Sequence, residues 1–450
     1  MEQIKENKMG HTPIFRLIIS MSLPSMFSML IQSLYNIIDS MFVAQICEDA
    51  LTALSLAFPV QLLMISVAVG TGVGVNSLIS RRLGEGRHDE ASNAASHGLV
   101  LSFISWLPFA LIGLFFTKPF FEAFSTNLAV VEMGCEYLSI VTVFSLGVFI
   151  QISFEKTLQA TGNMIYPMIS QLIGAITNII LDPIMIFGLF GFPELGVGGA
   201  AIATVIGQIF GMLFCVLIIY KKNHDVHITL KRFRFRGKIV KEIYQVGLPS
   251  IIMQSIASVL IGILNAILGT LSETAIAVLG AYYKLQSFIF MPVFGLTQGV
   301  MPVMGYNFGA KNKKRLIDTL KVGLLVAVAI MAFGTSIFMF VPDKLLMIFN
   351  ASEEMLLIGM PALRIISLCF IPAAVGIMFS TLFQALGAGI YSLIISVMRQ
   401  LIFILPAAYL LSKIGLNFVW YSFPIAEVFS FIASILLFRR VYRNSIKILG

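Results

Sequence analysis

The stretch NIILDP, Asn178 to Pro183, decides how this chain is read. It lies inside an apolar run from about Met168 to Phe190, long enough to cross a bilayer as a helix. An aspartate at the centre of such a helix costs roughly 2.5–3.5 kcal/mol on the insertion scale, so Asp182 is expected to face a partner or water rather than lipid. Asn178 and Asp182 are four residues apart and share one helix face. Pro183 has no N–H, so the carbonyl of Ile179 is expected to lose its helical partner. An amide oxygen, a carboxylate and a loosened carbonyl within one turn suit a small hard cation or a shuttling proton. In a soluble protein a kinked helix with a satisfied polar pair would be the better reading; in a membrane span the functional one is favoured.

The surrounding chain supports a membrane span. Of its 450 residues 58% are hydrophobic and 12% charged, and the mean hydropathy is +0.94. So little charge cannot cover a soluble surface, which makes this a polytopic helical membrane protein. At about 30–40 residues for each helix and turn, the length predicts roughly a dozen spans. The start, MEQIKENKMGHTPIFR, is polar and leads into a span too long for the core of a cleavable signal. The four cysteines (Cys47, Cys135, Cys215, Cys369) form no metal spacing and no evident disulfide set, and the five histidines stand near no metal-ligand partner. No cofactor is expected.

The net charge of +8 is unevenly spread. Of the 30 Lys and Arg, 23 fall in alternate polar stretches: up to and including Arg16, at Arg81–Arg87, Lys221–Lys241 and Lys311–Lys321, and from Arg439 onward. The intervening loops hold only Lys118, Lys344 and Lys413. This positive-inside pattern predicts an even number of spans and both termini in the cytoplasm. A juxtamembrane loop explains Lys221–Lys241 without any nucleic-acid partner.

Twelve helices are predicted at about 14–44, 50–82, 90–116, 127–160, 164–188, 196–221, 239–270, 274–308, 312–341, 352–386, 389–412 and 415–442. The halves repeat. Gly70, Gly74, Val75 and Gly84 recur at Gly295, Gly299, Val300 and Gly309, each 225 residues later. The same offset carries Leu23-Pro24-Ser25 onto Leu248-Pro249-Ser250, and Gln159-Ala160 onto Gln384-Ala385. The expected organisation is therefore an N-terminal six-helix lobe (1–221), a basic cytoplasmic linker (222–238) and a C-terminal six-helix lobe (239–450). Two such pseudo-symmetric lobes should enclose a central cavity. Asn178 and Asp182 fall on Phe403 and Ala407, and Asp39 falls beside Asn265, so the first-lobe carboxylates lack carboxylate counterparts in the second. Coupling chemistry needs only one site, and the first lobe is expected to hold it.

The first helix carries Gln32, Tyr35, Asn36 and Asp39 on one face, the fifth Gln171, Asn178 and Asp182, and the sixth Thr204 and Gln208. If these faces converge, two acids can share a proton, or stay ionised around a sodium ion at Asp39, Asn178, Asp182 and Thr204. Asp39, Asp182, Asn178, Gln32 and Thr204 are the ion-coupling candidates. Tyr35, Asn36, Glu155, Gln171 and Gln208 are candidates to line a substrate cavity. Pro24 and Pro183 are expected to kink their helices, and Arg399 with Glu427 to form a mutually neutralising structural pair. GTGVG at Gly70 lacks the Gly-Lys-Ser/Thr of a phosphate loop and is read as a close helix contact.

These residues resemble the multidrug and toxic compound extrusion (MATE) transporters, most closely a MepA-like bacterial branch. The resemblance rests on LPSM (Leu23–Met26), GVGVNSLISRRLG (Gly72–Gly84), QATGN (Gln159–Asn163) and NIILDPIMIFG (Asn178–Gly188). In the second half it rests on GLTQGVMPVMGYNFGA (Gly295–Ala310) and FQALGAG (Phe383–Gly389). It implies a twelve-helix, two-lobe exporter of organic, often cationic compounds, driven by a proton or sodium gradient and working by alternating access. It also implies a first-lobe ion site at positions matching Gln32, Asp39, Asn178, Asp182 and Thr204. Some members instead place a carboxylate in the seventh helix, which here reads LIGILNAIL with Asn265. The expected protein is a monomeric multi-pass secondary antiporter of the cell membrane, not an enzyme. A lipid-linked precursor flippase would need several cavity cations, and a membrane-embedded enzyme a cluster of His, Cys, Ser or paired acids at one depth.

Overall fold

A computed structural model describes residues 7–222, 225–229, 231 and 233–449, without the side chains of residues 36, 40, 44 and 222. It is all helical, with no strand among the described residues. Among the described residues ten helices are long and apolar enough to cross a membrane, or twelve with each of two bent pairs taken as one span. In order they are α1 (Ile14–Ala44), α2 (Glu48–Gly84), α3 (His88–Phe115), the bent α4 (Leu128–Val143 with Leu146–Ala160), α5 (Ile165–Phe187) and α6 (Gly196–Lys222). Then follow α7 (Gly237–Gly269), α8 (Glu273–Gly309), α9 (Lys313–Phe340), the bent α10 (Glu353–Ser367 with Phe370–Ala385), α11 (Gly389–Ser412) and α12 (Leu416–Ile446). The twelve predicted helices are all present. Pro24 and Pro183 lie inside α1 and α5, and neither helix is broken there.

The two real breaks lie elsewhere, at the same place in each half: α4 bends by 43° and α10 by 47°. A break frees a carbonyl that the bilayer cannot hydrate, so a neighbouring side chain must supply a donor. Trp106 Nε1 on α3 donates to the Val143 carbonyl at 3.0 Å. In the second half Thr335 Oγ1 on α9 donates to the Ser367 carbonyl at 3.1 Å.

The chain folds into two compact units that exchange ends. One is Phe27–Ile251; the other joins the segment through Met26 to Ile252–Gly450. The first part of α7 thus belongs with the N-terminal half, and the first part of α1 with the C-terminal half. Neither exchange follows the expected boundary at 222–238. The repeated glycines supply the reason. A methyl group at Gly70 would stand 2.8 Å from the Ile251 nitrogen, and one at Gly74 would strike the Ile243 carbonyl, so α7 lies against α2 backbone to backbone. In the other unit a methyl group at Gly295 would stand 2.6 Å from the Met26 nitrogen, and one at Gly299 would stand 2.8 Å from the Ser22 nitrogen. Polar ties hold each exchanged end: Arg82 pairs with Glu242 at 2.7 Å, and Arg315 donates to the carbonyls of Met9 (3.0 Å) and Thr12 (2.8 Å).

Part of the linker is strapped to the start of α3. The backbone N–H groups of His227, Thr229 and Arg236 donate to Ser92 Oγ, Ser96 Oγ and His97 Nε2. His97 is buried, and its ring lies 4.7 Å from that of Phe233.

Candidate functional site

The site forms where α1, α5 and α6 meet within the Phe27–Ile251 unit. Small residues allow the approach: a methyl group at Gly207 on α6 would stand 2.6 Å from the Gly174 carbonyl of α5. That closeness lets the Asn178 amide reach across to α6. Asn178 Nδ2 donates both to Asp182 Oδ1, one turn along its own helix, and to Thr204 Oγ1, each at 3.1 Å. Asn178 and Asp182 are buried, Asp182 completely.

From α1, Asp39 brings its carboxyl within hydrogen-bonding reach of Asp182, and Tyr35 meets the Thr204 hydroxyl. The second oxygen of Asp182 and the Asn178 carbonyl oxygen receive no donor. No lysine or arginine is among the groups acting on either acid. Two carboxyl groups in contact cannot both carry charge without something positive between them. The arrangement can therefore hold a proton or a small cation, and it lacks a fixed cation to do that work.

The structure thus brings Asp39, Asp182, Asn178, Thr204 and Tyr35 together. Gln32 lies two turns before Asp39 on the same stripe of α1, partly exposed, and Gln208 one turn beyond Thr204, with an Oε1 that receives no donor. Asn36 lies outside the residues whose side chains are described. Glu155 and Gln171 belong to a separate cluster: the buried Glu155 carboxylate accepts from Gln151 Nε2 (3.0 Å) and Gln171 Nε2 (2.8 Å). Lys156 turns instead to Gln159 Oε1 at 2.9 Å. In the other unit Arg399 and Glu427 pair at 3.7 Å.

Sequence reading missed Tyr137 and Gln61. Tyr137 on α4 is buried, its hydroxyl accepts from Gln61 Nε2 at 3.0 Å, and it acts electrostatically with both Asp39 and Asp182. The glutamine in FPVQLLM, alone among apolar residues, was the available signal. Among the described residues no group of three or more His, Cys, Asp or Glu side chains is placed to hold a metal ion.

With this geometry in view, the likeness to known proteins becomes specific. The MatE family matches residues 24–184 and again 249–410, once in each repeat. The chain is 28% identical over 428 residues to the multidrug export protein MepA of Staphylococcus haemolyticus, covering 94% of this chain and 93% of that one. It is 27% identical over 436 residues to an FAD transporter of Shewanella oneidensis, covering 95% of each. It superimposes with a TM-score of 0.91, at 27% identity, on an outward-facing multidrug resistance MATE family transporter of the MOP superfamily, covering 100% of this chain and 99% of that one. A crystal structure of MATE in complex with MaL6 matches with a TM-score of 0.92 at 28% identity, covering 99% of each. Matched over both repeats and along almost its whole length, this multi-pass membrane chain belongs to the MatE family and is a transporter, not an enzyme.

Proposed function

We propose that the chain is a secondary antiporter that exports organic, cationic and lipophilic compounds by alternating access, in exchange for protons. It works as a monomer in the cell membrane, with both termini in the cytoplasm. One observation carries the reading: the Asp39 and Asp182 carboxyls meet inside the unit with no fixed cation beside them. A pair of acids in contact is a site for one shared proton, and releasing that proton leaves repelling charges that must separate or draw in a cation. Asn178 holds Asp182 against Thr204, and Thr204 holds Tyr35, so a change at the acids reaches α1, α5 and α6 together. The multidrug export proteins among the relatives favour varied organic substrates.

The driving force suffices. Net entry of one positive charge through 100 mV supplies about 2.3 kcal/mol. A tenfold concentration step costs about 1.4 kcal/mol, so each net charge sustains a gradient of between ten- and a hundredfold, while one-for-one exchange of a proton for a monovalent cation runs on the pH difference alone.

Efflux of a lipophilic cationic dye from everted vesicles tests the reading. Asp39→Asn and Asp182→Asn should each reduce proton-driven efflux by about a hundredfold or more, the cost of removing a charge-carrying partner. Unchanged proton-driven efflux in both variants overturns it.

A further inference from the structure

The second unit contains its own buried charged centre, and its hydrogen bonding is incomplete. Arg399 lies in a π-helical segment of α11, Met398–Ile404, a local irregularity often found at functional sites. Its guanidinium has five donors yet makes one contact, to Glu427 Oε2 on α12 at 3.7 Å, too long for a hydrogen bond. The Arg399 side chain stays 29% exposed in mid-span while that of Glu427 is 6% exposed, so the cation is the reachable partner. The Tyr283 hydroxyl on α8, electrostatically coupled to Arg399, has no hydrogen-bond partner, and neither does Glu427 Oε1. An arginine with spare donors, within electrostatic reach of an unsatisfied phenol, suits an oxyanion.

The surroundings of Glu427 show where it turns when the arginine is taken. A methyl group placed at Gly376 on α10 would meet only Glu427 Oε1 and Ser434 Oγ, both at 3.8 Å, so there is room beside the free oxygen. Ser434 Oγ donates to the Ser430 carbonyl at 2.8 Å and keeps its lone pairs free to accept. Ser430 Oγ, one turn from Glu427, is buried and has no partner. The other titratable groups around the acid are Tyr282 on α8 and Cys369 at the break of α10, and neither offers a second positive charge.

We propose that Arg399 and Glu427 form a proton-linked subsite for an oxyanion, the carboxylate or phosphate group of a transported compound. The oxyanion takes the guanidinium with Tyr283 as second donor. Glu427 then takes up one proton from solvent, keeps it, and as a neutral acid donates a hydrogen bond to a serine hydroxyl on its own helix. Buried charge is conserved: an Arg⁺–Glu⁻ pair becomes an Arg⁺–oxyanion pair beside a neutral acid, and release reverses both steps. This rests on the exporter reading for its use in transport, but binding can be measured without transport.

The test is calorimetry on the full chain in phosphatidylcholine nanodiscs, titrated with 1-naphthoate, 1-naphthyl phosphate and the cation 1-naphthylmethylammonium in two buffers of different ionisation enthalpy. Binding of the carboxylate should take up about one proton, and binding of the phosphate, close to a dianion at pH 7, between one and two, as the charge balance requires. Arg399→Gln should lower anion affinity relative to cation affinity about tenfold or more. Glu427→Gln should keep anion binding and abolish the proton uptake, a signature that a merely structural pair would not give. The two anions distinguish carboxylate from phosphate, and competition by added phosphatidylglycerol would identify a lipid headgroup as the source of the oxyanion. The proposal is overturned by anion binding without proton uptake, by no anion binding in the wild type, or by unaltered anion binding in the charge-free pair Arg399→Met/Glu427→Met.

Discussion

The two repeats share a backbone plan and differ in charge. Each has a bent fourth helix, each supplies a side-chain donor to the freed carbonyl, and each receives the start of a foreign helix on a pair of glycines. Yet Asp182 has Ala407 as its counterpart 225 residues on, while Arg399 and Glu427 have Gly174 and Ile202 as theirs 225 residues back. In one unit Asp39 and Asp182 meet with no base acting on them; in the other Glu427 meets a base, Arg399. Features that keep the helices together recur because both halves need them. Buried charge recurs only where it does something, since each instance costs stability in the bilayer. An acid pair must gain a positive charge from outside, whereas an acid–base pair is neutral at rest and changes only when a ligand competes for it.

The strongest way to break this contrast is at Asp182. Asp182→Asn should lower proton-driven efflux at least about a hundredfold, whereas Ala407→Asp, its counterpart in the other unit, should not restore it, because no Asp39 equivalent waits there. Vesicle efflux assays on the single and double variants measure this.

The glycine contacts come next and should behave alike in both units. Gly74→Leu and Gly299→Leu push a side chain into a neighbouring backbone, and each should cost about 2–4 kcal/mol, seen as a lower Tm in detergent. Gly262→Ala, where a methyl group meets nothing within 4 Å, should be neutral or slightly stabilising. A large loss at only one of the two contacts would show that the exchanged ends are not equivalent.

The bends give a smaller effect. Trp106→Phe and Thr335→Val each strand a carbonyl and should cost about 1–3 kcal/mol. The smallest effect belongs to Glu242→Gln, at a partly exposed ion pair, with a cost of about 0.2–1 kcal/mol in the same melting assay.

Much of this was legible in the sequence, for physical reasons that differ by residue. Length and apolarity mark a span directly, so all twelve helices could be placed from composition and loop charge. Asp182 was conspicuous because an acid in an apolar run is costly, and Asn178, four residues earlier, had to share its face. The meeting with Asp39 followed from two polar stripes seeking partners. Tyr137 and Gln61 carried no such stripe; each is a single polar residue in an apolar run, and only packing shows that they adjoin the acids. The bends were hidden too. In α10 Pro372 removes an N–H just after the break, but at the same place in α4 stands Gly147, and Pro183, the expected kink, leaves α5 intact. The exchanged ends were invisible because the glycines recording them show that something comes close, not which segment it is.

In the proposed cycle the Asp39–Asp182 pair couples a proton to export. Purified protein in liposomes, with pH and sodium gradients imposed separately, tests it most directly. A pH gradient alone should drive accumulation of a cationic dye, a sodium gradient alone should not, and Asp39→Asn should abolish the response. Accumulation driven equally by sodium alone, or pH-driven accumulation persisting in Asp39→Asn, would contradict it.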